Sequence, residues 1–207
     1  MSLESVKTAV ENGKVKKIEG VVQEALDEGC SAAKILDAMI GVMDGVGDKF
    51  QRNEIFVPEM LVSALTMKKG VAVLKPYLGA GEAVSHGKFI IGTAKGDLHD
   101  IGKNLVAMML ESAGFEVIDL GVDVPAEKFT ETLRENPDCR LVGLSALLTT
   151  TMDNMKTTVA AIRAEFPSVK IMVGGAPITP EFAQSIGADA YTTDAGSAAS
   201  KAKELAD

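Results

Sequence analysis

One histidine of this chain stands in a segment that favours metal binding. His99 lies within Gly-Thr-Ala-Lys-Gly-Asp-Leu-His-Asp-Ile-Gly at residues 92–102, after an apolar run at 89–91 and before a helical pattern. Asp97 precedes it by two residues. Neutral imidazole is a common metal ligand, and a neighbouring carboxylate can fix its tautomer and raise its basicity. Taken alone, the motif also allows a helix start at which Asp97 is the cap and His99 is solvated.

Three short motifs occur in the order that is typical of one cofactor-binding family. The segment 97–102 matches the pattern Asp-x-His-x-x-Gly, and Ser145-Ala146-Leu147 and Gly174-Gly175 follow it. By these motifs the chain resembles the corrinoid methyl-carrier proteins of methylamine, betaine and methanol methyltransferase systems, and the cobalamin module of methionine synthase. The resemblance covers nearly the whole chain. It implies a bound cobalamin or related corrinoid, methylcobalamin when loaded, with cobalt as its metal.

The resemblance also implies roles for individual residues. His99 would be the protein ligand below the cobalt, in place of the cofactor's own nucleotide base, and Asp97 would orient it. Thr151 occupies the position of a serine that completes a histidine–aspartate–hydroxyl relay in methionine synthase, although a helix cap is a second role open to it. The remaining positions that the motifs assign to the cofactor are Gly96, Asp100, Ile101, Gly102, Ser145, Leu147, Thr149, Gly174, Gly175, Asp194 and Ala195.

The amino-terminal part of the chain resembles the helical cap that covers the upper face of cobalamin in methionine synthase. In that family a phenylalanine and a leucine shield the methyl group, and their positions correspond to Phe50 and Val57 here. Valine is the shorter side chain, so the second contact would be weaker. The alternative for both residues is a place in the core of a helical bundle.

The composition limits the class of protein. With 207 residues, of which 46% are apolar, the chain can form one large or two small domains with a sizeable core. A net charge of −8 argues against a nucleic-acid partner, because phosphate recognition usually needs a basic face. We expect a cytoplasmic protein without a membrane span, because we find neither an apolar run of about 18 residues nor a secretory signal. Cys30 and Cys139 are expected to be free thiols.

The apolar pattern changes near residue 80. Residues 1–78 show helical spacing and predict a cap domain of four antiparallel helices, followed by a glycine-rich linker at 79–88. Residues 89–207 alternate between strand and helix, which predicts an α/β domain with a doubly wound parallel sheet. Its five expected strands suit the flavodoxin-like order 2-1-3-4-5. They lie at 89–94, 116–120, 140–145, 169–174 and 189–192.

That strand order supports the site independently of the family motifs. In open α/β sheets, ligands bind at the switch point, beyond the carboxyl ends of the strands on either side of it. His99 follows strand 1, whereas Ser145, Thr149 and Thr151 follow strand 3. The two polar groups are therefore expected to face each other across the ligand crevice.

The resemblance implies a carrier rather than an enzyme that acts alone. A substrate-specific corrinoid methyltransferase, for a methylated amine, a betaine or methanol, would pass a methyl group to the cobalt. A second methyltransferase would then transfer it to a thiol or tetrahydropterin acceptor. A reductase that reactivates the corrinoid is a further expected partner. The chain has no room for a catalytic barrel of its own.

Three alternatives stay open at this point. A dinucleotide-binding enzyme would use the glycine loop with Asp119 or Asp123 on a ribose, but the glycines at 92, 96 and 102 do not match Gly-x-Gly-x-x-Gly. A cobalamin-sensing regulator would carry an additional DNA-binding segment. The cobalamin-binding subunit of a mutase would resemble only the second half of the chain.

Overall fold

The structure, a computed structural model, describes residues 2–78 and 86–206. These residues form two compact units, an amino-terminal helical unit and a carboxy-terminal unit built on a parallel sheet. Most of the predicted linker, residues 79–85, lies outside the described residues. Within the described ranges, no helix is long and apolar enough to cross a membrane.

Within residues 2–78, four α-helices form the amino-terminal unit. They are α1 (Ser2–Glu11), α2 (Ile18–Asp27), α3 (Ala32–Gln51) and α4 (Val57–Leu74), and a short 3-10 turn at Lys75–Tyr77 follows. Side-chain hydrogen bonds to backbone N–H groups explain where two of these helices begin. The Ser31 hydroxyl accepts a hydrogen bond from the Lys34 N–H, and the Glu59 carboxylate accepts one from the Phe56 N–H.

The fourth helix ends sooner than its apolar pattern predicts. The pattern extends to Leu78, but α4 stops at Leu74. Pro76 explains the difference, because proline has no N–H to donate and its ring clashes with the preceding helical turn. The chain therefore continues as the 3-10 turn at Lys75–Tyr77.

Apolar side chains at helical spacing fill the interior of this unit. Each helix directs one stripe of such residues inward, as the sequence pattern predicts. The fully or almost fully buried side chains include Val6, Val10, Ile18, Val22, Ile35, Met39, Met43, Met60 and Met67. The unbranched methionines suit a core between short helices, because their flexible side chains fill irregular gaps.

The carboxy-terminal unit alternates strands and helices. Its elements are β1 (Lys88–Thr93), α5 (Ile101–Ser112), β2 (Glu116–Asp119), α6 (Ala126–Glu135), β3 (Leu141–Ser145), α7 (Met152–Glu165), β4 (Lys170–Gly174), α8 (Pro180–Ser185), β5 (Ala190–Tyr191) and α9 (Ala195–Ala206). Within residues 86–206 the strands pair in parallel in the order β2-β1-β3-β4-β5. This order confirms the predicted flavodoxin-like fold, with the switch point between β1 and β3.

The strand register places the two loops of interest side by side. In the β1–β3 ladder, Thr93 pairs with Ser145, the last residue of each strand. Just beyond the ladder, the Ala94 N–H donates to the Ser145 carbonyl at 2.9 Å. The chain segments that follow β1 and β3 therefore leave the sheet from adjacent points.

Two helical glycines in the amino-terminal unit provide a test of its packing. A Cβ atom added at Gly41 of α3 meets nothing within 4 Å, so Gly41→Ala should raise the free energy of unfolding. We expect a gain of about 0.5–1 kcal/mol, because glycine costs that much relative to alanine inside a helix. A Cβ at Gly70 of α4 would collide with the buried Met39 side chain and lie 3.0 Å from Ile18.

The matched variant Gly70→Ala should therefore lose stability, by about 1–2 kcal/mol, despite the better helix propensity of alanine. Urea unfolding of both variants, monitored by circular dichroism, measures the two changes. Changes of equal sign would contradict this description of the bundle interior.

Candidate functional site

A short turn positions His99 at the carboxyl edge of the sheet. The Asp97 N–H donates to the Ala94 carbonyl at 3.0 Å, and Gly96 has a φ of +83°, which glycine adopts without steric cost. The buried Thr93 hydroxyl then donates to the His99 carbonyl at 3.0 Å. These bonds keep His99 close to the end of β1, directly before α5 begins.

The Asp97 carboxylate joins the loop after β1 to the loop after β3. Its Oδ1 accepts the His99 N–H at 3.1 Å and lies 2.7 Å from His99 Nδ1. Its Oδ2 accepts the N–H groups of Leu147 and Leu148 at 2.7 and 3.1 Å. The Thr151 hydroxyl also donates to Oδ2, at 2.9 Å. Asp97 itself is fully buried.

These hydrogen bonds keep Asp97 ionised. Burial by itself would raise the pKa of the carboxyl. The Leu147 N–H, the His99 ring and N–H, and the Leu148 N–H outweigh burial and hold this pKa well below its ordinary value. An ionised carboxylate can only accept, so His99 must carry its proton on Nδ1. In the neutral ring, that tautomer leaves the free lone pair on Nε2.

The Nε2 atom of His99 is available to a ligand. The side chain is 50% exposed, and no group within residues 2–78 or 86–206 forms a hydrogen bond with Nε2. Across the same ranges, no group of three or more His, Cys, Asp or Glu side chains could hold a bare metal ion. Histidines that ligate metals usually donate their other ring N–H to a carboxylate or carbonyl. A metal at His99 would therefore need further ligands from outside the described residues.

Thr151 contacts Asp97 and does not cap the helix that follows it. It is buried at the end of the 3-10 turn Thr149–Thr151, directly before α7. Its hydroxyl lies within donor distance of Asp97 Oδ2 and, at 2.8 Å, of the Leu148 carbonyl, and it forms no cap hydrogen bond to α7. The helix-cap alternative for this side chain is therefore wrong. The structure brings His99, Asp97 and Thr151 together in that order.

Four exposed apolar side chains lie close to this group. Leu98 and Ile101 are 72% and 79% exposed in the segment that contains His99. Leu147 and Leu148, whose N–H groups bind Asp97, are 43% and 40% exposed. We call these four residues the apolar collar. A contiguous exposed apolar patch often marks a binding site, and these four side chains are candidates for contact with a ligand.

The glycine pair at the end of β4 has a packing role within the protein. A Cβ atom on Gly175, where φ is +127°, would collide with the Ala146 carbonyl oxygen, and one on Gly174 would lie 3.3 Å from the Thr192 oxygen. The Ala146 N–H donates to the Gly174 carbonyl at 3.2 Å. Close approach of neighbouring backbones thus accounts for both glycines, and their contact with a cofactor stays a prediction.

Asp194 and Ala195 stand at the start of α9. The Asp194 carboxylate accepts the Ser197 N–H at 2.8 Å, as a helix N-cap does, and Ala195 is buried. Both residues have a structural explanation at the carboxyl end of β5. Their assignment to the cofactor also stays a prediction.

Four more predicted residues lie at the edge of the sheet that holds His99. Ser145 ends β3 and is half-buried, and Thr149 is exposed in the turn before α7. Asp100 and Gly102 are exposed near the start of α5, where the Asp100 carboxylate accepts the Asn104 amide at 3.0 Å. The fold brings these residues to one edge of the sheet, and their individual contacts with a cofactor stay predictions.

Phe50 and Val57 belong to the helical unit, and neither is fully within its core. Phe50 is half-buried near the end of α3, and Val57 is 37% exposed at the first residue of α4. The neighbouring Phe56 is 70% exposed. Packing in the bundle core accounts for only the buried part of each side chain. The role of these two residues in covering the upper face of a cofactor stays a prediction.

Sequence reasoning misses several contacts of the turn that carries His99, two of which are made by side chains of other elements. The Asn154 amide donates to the Lys95 carbonyl at 2.9 Å, and the Asp123 carboxylate accepts the Gly96 N–H at 2.6 Å. Asp123 follows β2 at the same sheet edge, and that position is the signal that could have identified it. The sequence suggested only a ribose-binding acid there.

Comparison with known proteins shows what the chain resembles. Two family models, each described as a B12 binding domain, match residues 2–75 and 87–202. The chain is 41% identical over 207 residues to the dimethylamine corrinoid protein of Methanosarcina barkeri, an alignment that covers 98% of this chain and 96% of that protein.

Two solved structures have a similar fold over the whole chain. A cobalamin-binding protein from Desulfitobacterium hafniense DCB-2 has a TM-score of 0.81 at 31% identity, with 98% of each chain covered. A chain in the methanol:cobalamin methyltransferase complex of Methanosarcina barkeri has a TM-score of 0.89 at 27% identity, which covers 99% of this chain and 79% of that one.

The environment of Asp97 makes its contribution to stability dependent on pH. In Asp97→Asn, the amide nitrogen must face either the His99 donors or the N–H groups of Leu147 and Leu148. At pH 7 we expect a loss of about 2–4 kcal/mol in the free energy of unfolding, because buried donors lose their acceptor. The folded pKa of Asp97 is below its unfolded value of about 3.9, so its stabilisation is complete above about pH 5 and declines as the pH falls.

Urea unfolding of the cofactor-free protein from pH 7 to pH 3 measures this effect. The difference between the unsubstituted protein and Asp97→Asn should narrow below about pH 4, as the carboxyl of the unfolded chain becomes protonated. Asp37→Asn, at an exposed position of α3, is the matched control and should change stability by less than about 0.5 kcal/mol. A difference between the two proteins that stays constant with pH would contradict the prediction.

Proposed function

The chain belongs to the B12-binding family of corrinoid proteins, and we propose that it carries a methyl group between two methyltransferases on a bound corrinoid. The proposal depends above all on the half-exposed His99 ring, whose Nδ1 is bound to the buried Asp97 carboxylate. The similarity to a dimethylamine corrinoid protein and to a chain of a methanol:cobalamin methyltransferase complex supports it.

The residues at the site fit a corrinoid. A corrin ring would supply most of the ligands of its own cobalt, so the protein would have to add only a single nitrogen, and His99 would offer Nε2. Within residues 2–78 and 86–206, no group of three or more His, Cys, Asp or Glu side chains could hold a bare metal ion, which agrees with such a donor set. The apolar collar, in turn, offers apolar contact to a large ring system.

Each polar residue has a separate part in holding this ligand. Asp97 fixes the tautomer of His99 and, as an anion bound to Nδ1, makes Nε2 a stronger metal donor. The Thr151 hydroxyl and two backbone N–H groups keep the carboxylate in place. The collar would limit access of water to the imidazole. When bound, the corrinoid supplies the cobalt atom that accepts and releases the methyl group.

We infer a methylated amine as the methyl donor, because a dimethylamine corrinoid protein aligns over 98% of this chain. The expected partners are a methyltransferase specific for that amine, a second methyltransferase that acts on a thiol or tetrahydropterin, and a reductase that reactivates the corrinoid. We assign catalysis to these partners and not to this chain. We expect the exchange to take place in the cytoplasm, without a nucleic-acid or membrane partner.

The alternatives have less support. The Asp119 carboxylate accepts the Gly121 N–H of its own loop, and the Asp123 carboxylate accepts the Gly96 N–H of the loop after β1, which weakens a ribose-binding role for either residue. A mutase subunit would resemble only the second half of the chain, but the match to residues 2–75 and the full-length relatives include the helical unit. These same relatives favour a methyl carrier over a cobalamin-sensing regulator.

Electron paramagnetic resonance of the cobalamin-loaded protein in its Co(II) state tests the ligand. The unsubstituted protein should show hyperfine coupling from a single nitrogen, because His99 Nε2 would replace the base of the cofactor. Incorporation of 15N-labelled histidine should change the coupling pattern from a triplet to a doublet, since the two nitrogen isotopes differ in nuclear spin. His99→Ala should lose this isotope effect.

The chain contains a matched control, because its other histidine is His86, whose ring centroid lies 5.3 Å from that of Phe115. His86→Ala should keep the isotope-sensitive signal. A pattern that does not respond to 15N-histidine in the unsubstituted protein would mean that the cofactor keeps its own base. The proposed ligation would then be wrong.

A second test concerns Phe50 and Val57. We propose that they protect the methyl group, because a covering side chain favours recombination of a cobalt–carbon bond that light has broken. With methylcobalamin bound, Phe50→Ala and Val57→Ala should each photolyse several-fold faster than the unsubstituted protein, as measured by visible absorption under constant illumination. Phe56→Ala is the control and should have an unchanged rate. Faster photolysis only in Phe56→Ala would reassign the shielding to that residue.

A further inference from the structure

A second loop contacts the turn that carries His99, from the side of β1 that faces away from β3. This loop, residues 120–124, follows Asp119, the last residue of β2, and is called the β2 loop below. The Thr93 N–H donates to the Gly121 carbonyl at 2.9 Å, and the Val124 N–H donates to the Thr93 carbonyl at 3.0 Å. The β2 loop therefore runs alongside the chain where it leaves β1.

Asp123 makes a reciprocal pair of hydrogen bonds with the turn. Its N–H donates to the Asp97 carbonyl at 2.9 Å, and its carboxylate accepts the Gly96 N–H at 2.6 Å. A charged acceptor makes the second bond stronger than a neutral one. Both the backbone and the side chain of Asp123 are thus engaged by the residues directly before His99.

The backbone of Asp123 lies in a conformation that few residue types accept. Its φ is +54°, in the left-handed region, where aspartate, asparagine and glycine are tolerated best. This conformation allows the N–H and the carboxylate of one residue to reach neighbouring groups of the turn. The residue type at position 123 is therefore restricted both by its φ and by the need for an acceptor.

An ion pair between the buried Lys103 and the exposed Asp119 anchors the β2 loop. Lys103 of α5 is 3% exposed, and its Nζ lies 2.5 Å from Asp119 Oδ2 and 2.7 Å from Asn104 Oδ1. The other oxygen of Asp119 accepts the Gly121 N–H at 2.9 Å. Because a buried ammonium group is costly without a partner, Lys103 and Asp119 hold each other in place. This ion pair therefore fixes the start of the loop to which Asp123 belongs.

We propose that Asp123 is a positioning residue for the metal ligand. By fixing the backbone of Gly96 and Asp97, it sets the position of the carboxylate that orients the His99 ring. This inference deepens the proposed function and rests on it. The carboxylate of Asp97 is held from the β3 side, and its main chain is held by Asp123 from the β2 side.

Two substitutions separate the acceptor from the backbone conformation. Asp123→Gly keeps the N–H and suits the positive φ, so it removes the acceptor without adding strain. Asp123→Asn keeps an oxygen acceptor and also tolerates the left-handed region. This variant should therefore retain most of the protection of the Gly96 N–H and most of the cobalamin affinity. Comparison of the two variants therefore shows whether Asp123 acts through its hydrogen bond or is needed only for the loop to fold.

The first measurement uses the full-length, cofactor-free protein. Amide hydrogen exchange by nuclear magnetic resonance should show a protected Gly96 N–H in the unsubstituted protein and in Asp123→Asn. In Asp123→Gly the exchange should be roughly five-fold faster or more, the ratio expected from loss of one net hydrogen bond. An unprotected Gly96 N–H in the unsubstituted protein would overturn the proposal.

The second measurement is cobalamin binding, followed by visible absorption and by Co(II) paramagnetic resonance with 15N-histidine. Asp123→Gly should bind about five-fold more weakly, and Asp123→Asn should stay within about two-fold of the unsubstituted protein. In Asp123→Gly, a fraction of the signal should no longer respond to the histidine label. Unchanged affinity and a fully histidine-dependent signal in Asp123→Gly would overturn the inference, and so would equal losses in both variants.

The outcomes also separate this inference from the proposed function. If the unsubstituted protein shows no histidine-dependent signal, the proposed function fails, and the inference fails with it. If the unsubstituted protein shows that signal and Asp123→Gly is indistinguishable from it, only the role of Asp123 is wrong.

Discussion

The carboxylate of Asp97 is removed from water, where an unpaired charge would cost roughly several kcal/mol. It can remain ionised there only because both of its oxygens accept hydrogen bonds, from the His99 ring and backbone, from Thr151, and from the N–H groups of Leu147 and Leu148. These donors come from two loops that are distant in sequence. The adjacency of β1 and β3 is what brings the loops within hydrogen-bond distance.

The same carboxylate connects the architecture of the sheet to the chemistry of the imidazole. Because it is an anion with no proton, it determines which nitrogen of His99 carries hydrogen and which offers a lone pair. Because the carboxylate is also bound to the loop after β3, the orientation of the His99 ring depends on the β1–β3 register. The β2 loop adds a third contact through Asp123, so three neighbouring strands contribute to the position of one side chain.

Much of this arrangement can be predicted from the sequence, since the apolar periodicity predicts the alternating strands and helices, and the strand order follows from the fold class. The motif around His99, together with Thr151, names the residues that meet at Asp97. The pattern could not reveal the contacts made by backbone N–H groups, such as Leu148 to Asp97 or Gly96 to Asp123, because any residue type supplies such a donor. Gly175 shows the opposite case. Its motif assigned it to the cofactor, and the Ala146 carbonyl requires glycine there whether or not a ligand is in contact with it.

In the proposed function, the apolar collar would give the uptake of a corrinoid a distinct thermodynamic character. Leu98, Ile101, Leu147 and Leu148 expose apolar surface to water before a ligand binds. Water next to such surface raises the heat capacity, and its release on burial lowers it. Calorimetry of cofactor uptake would consequently show a negative heat-capacity change, with a binding enthalpy that becomes more favourable as the temperature rises.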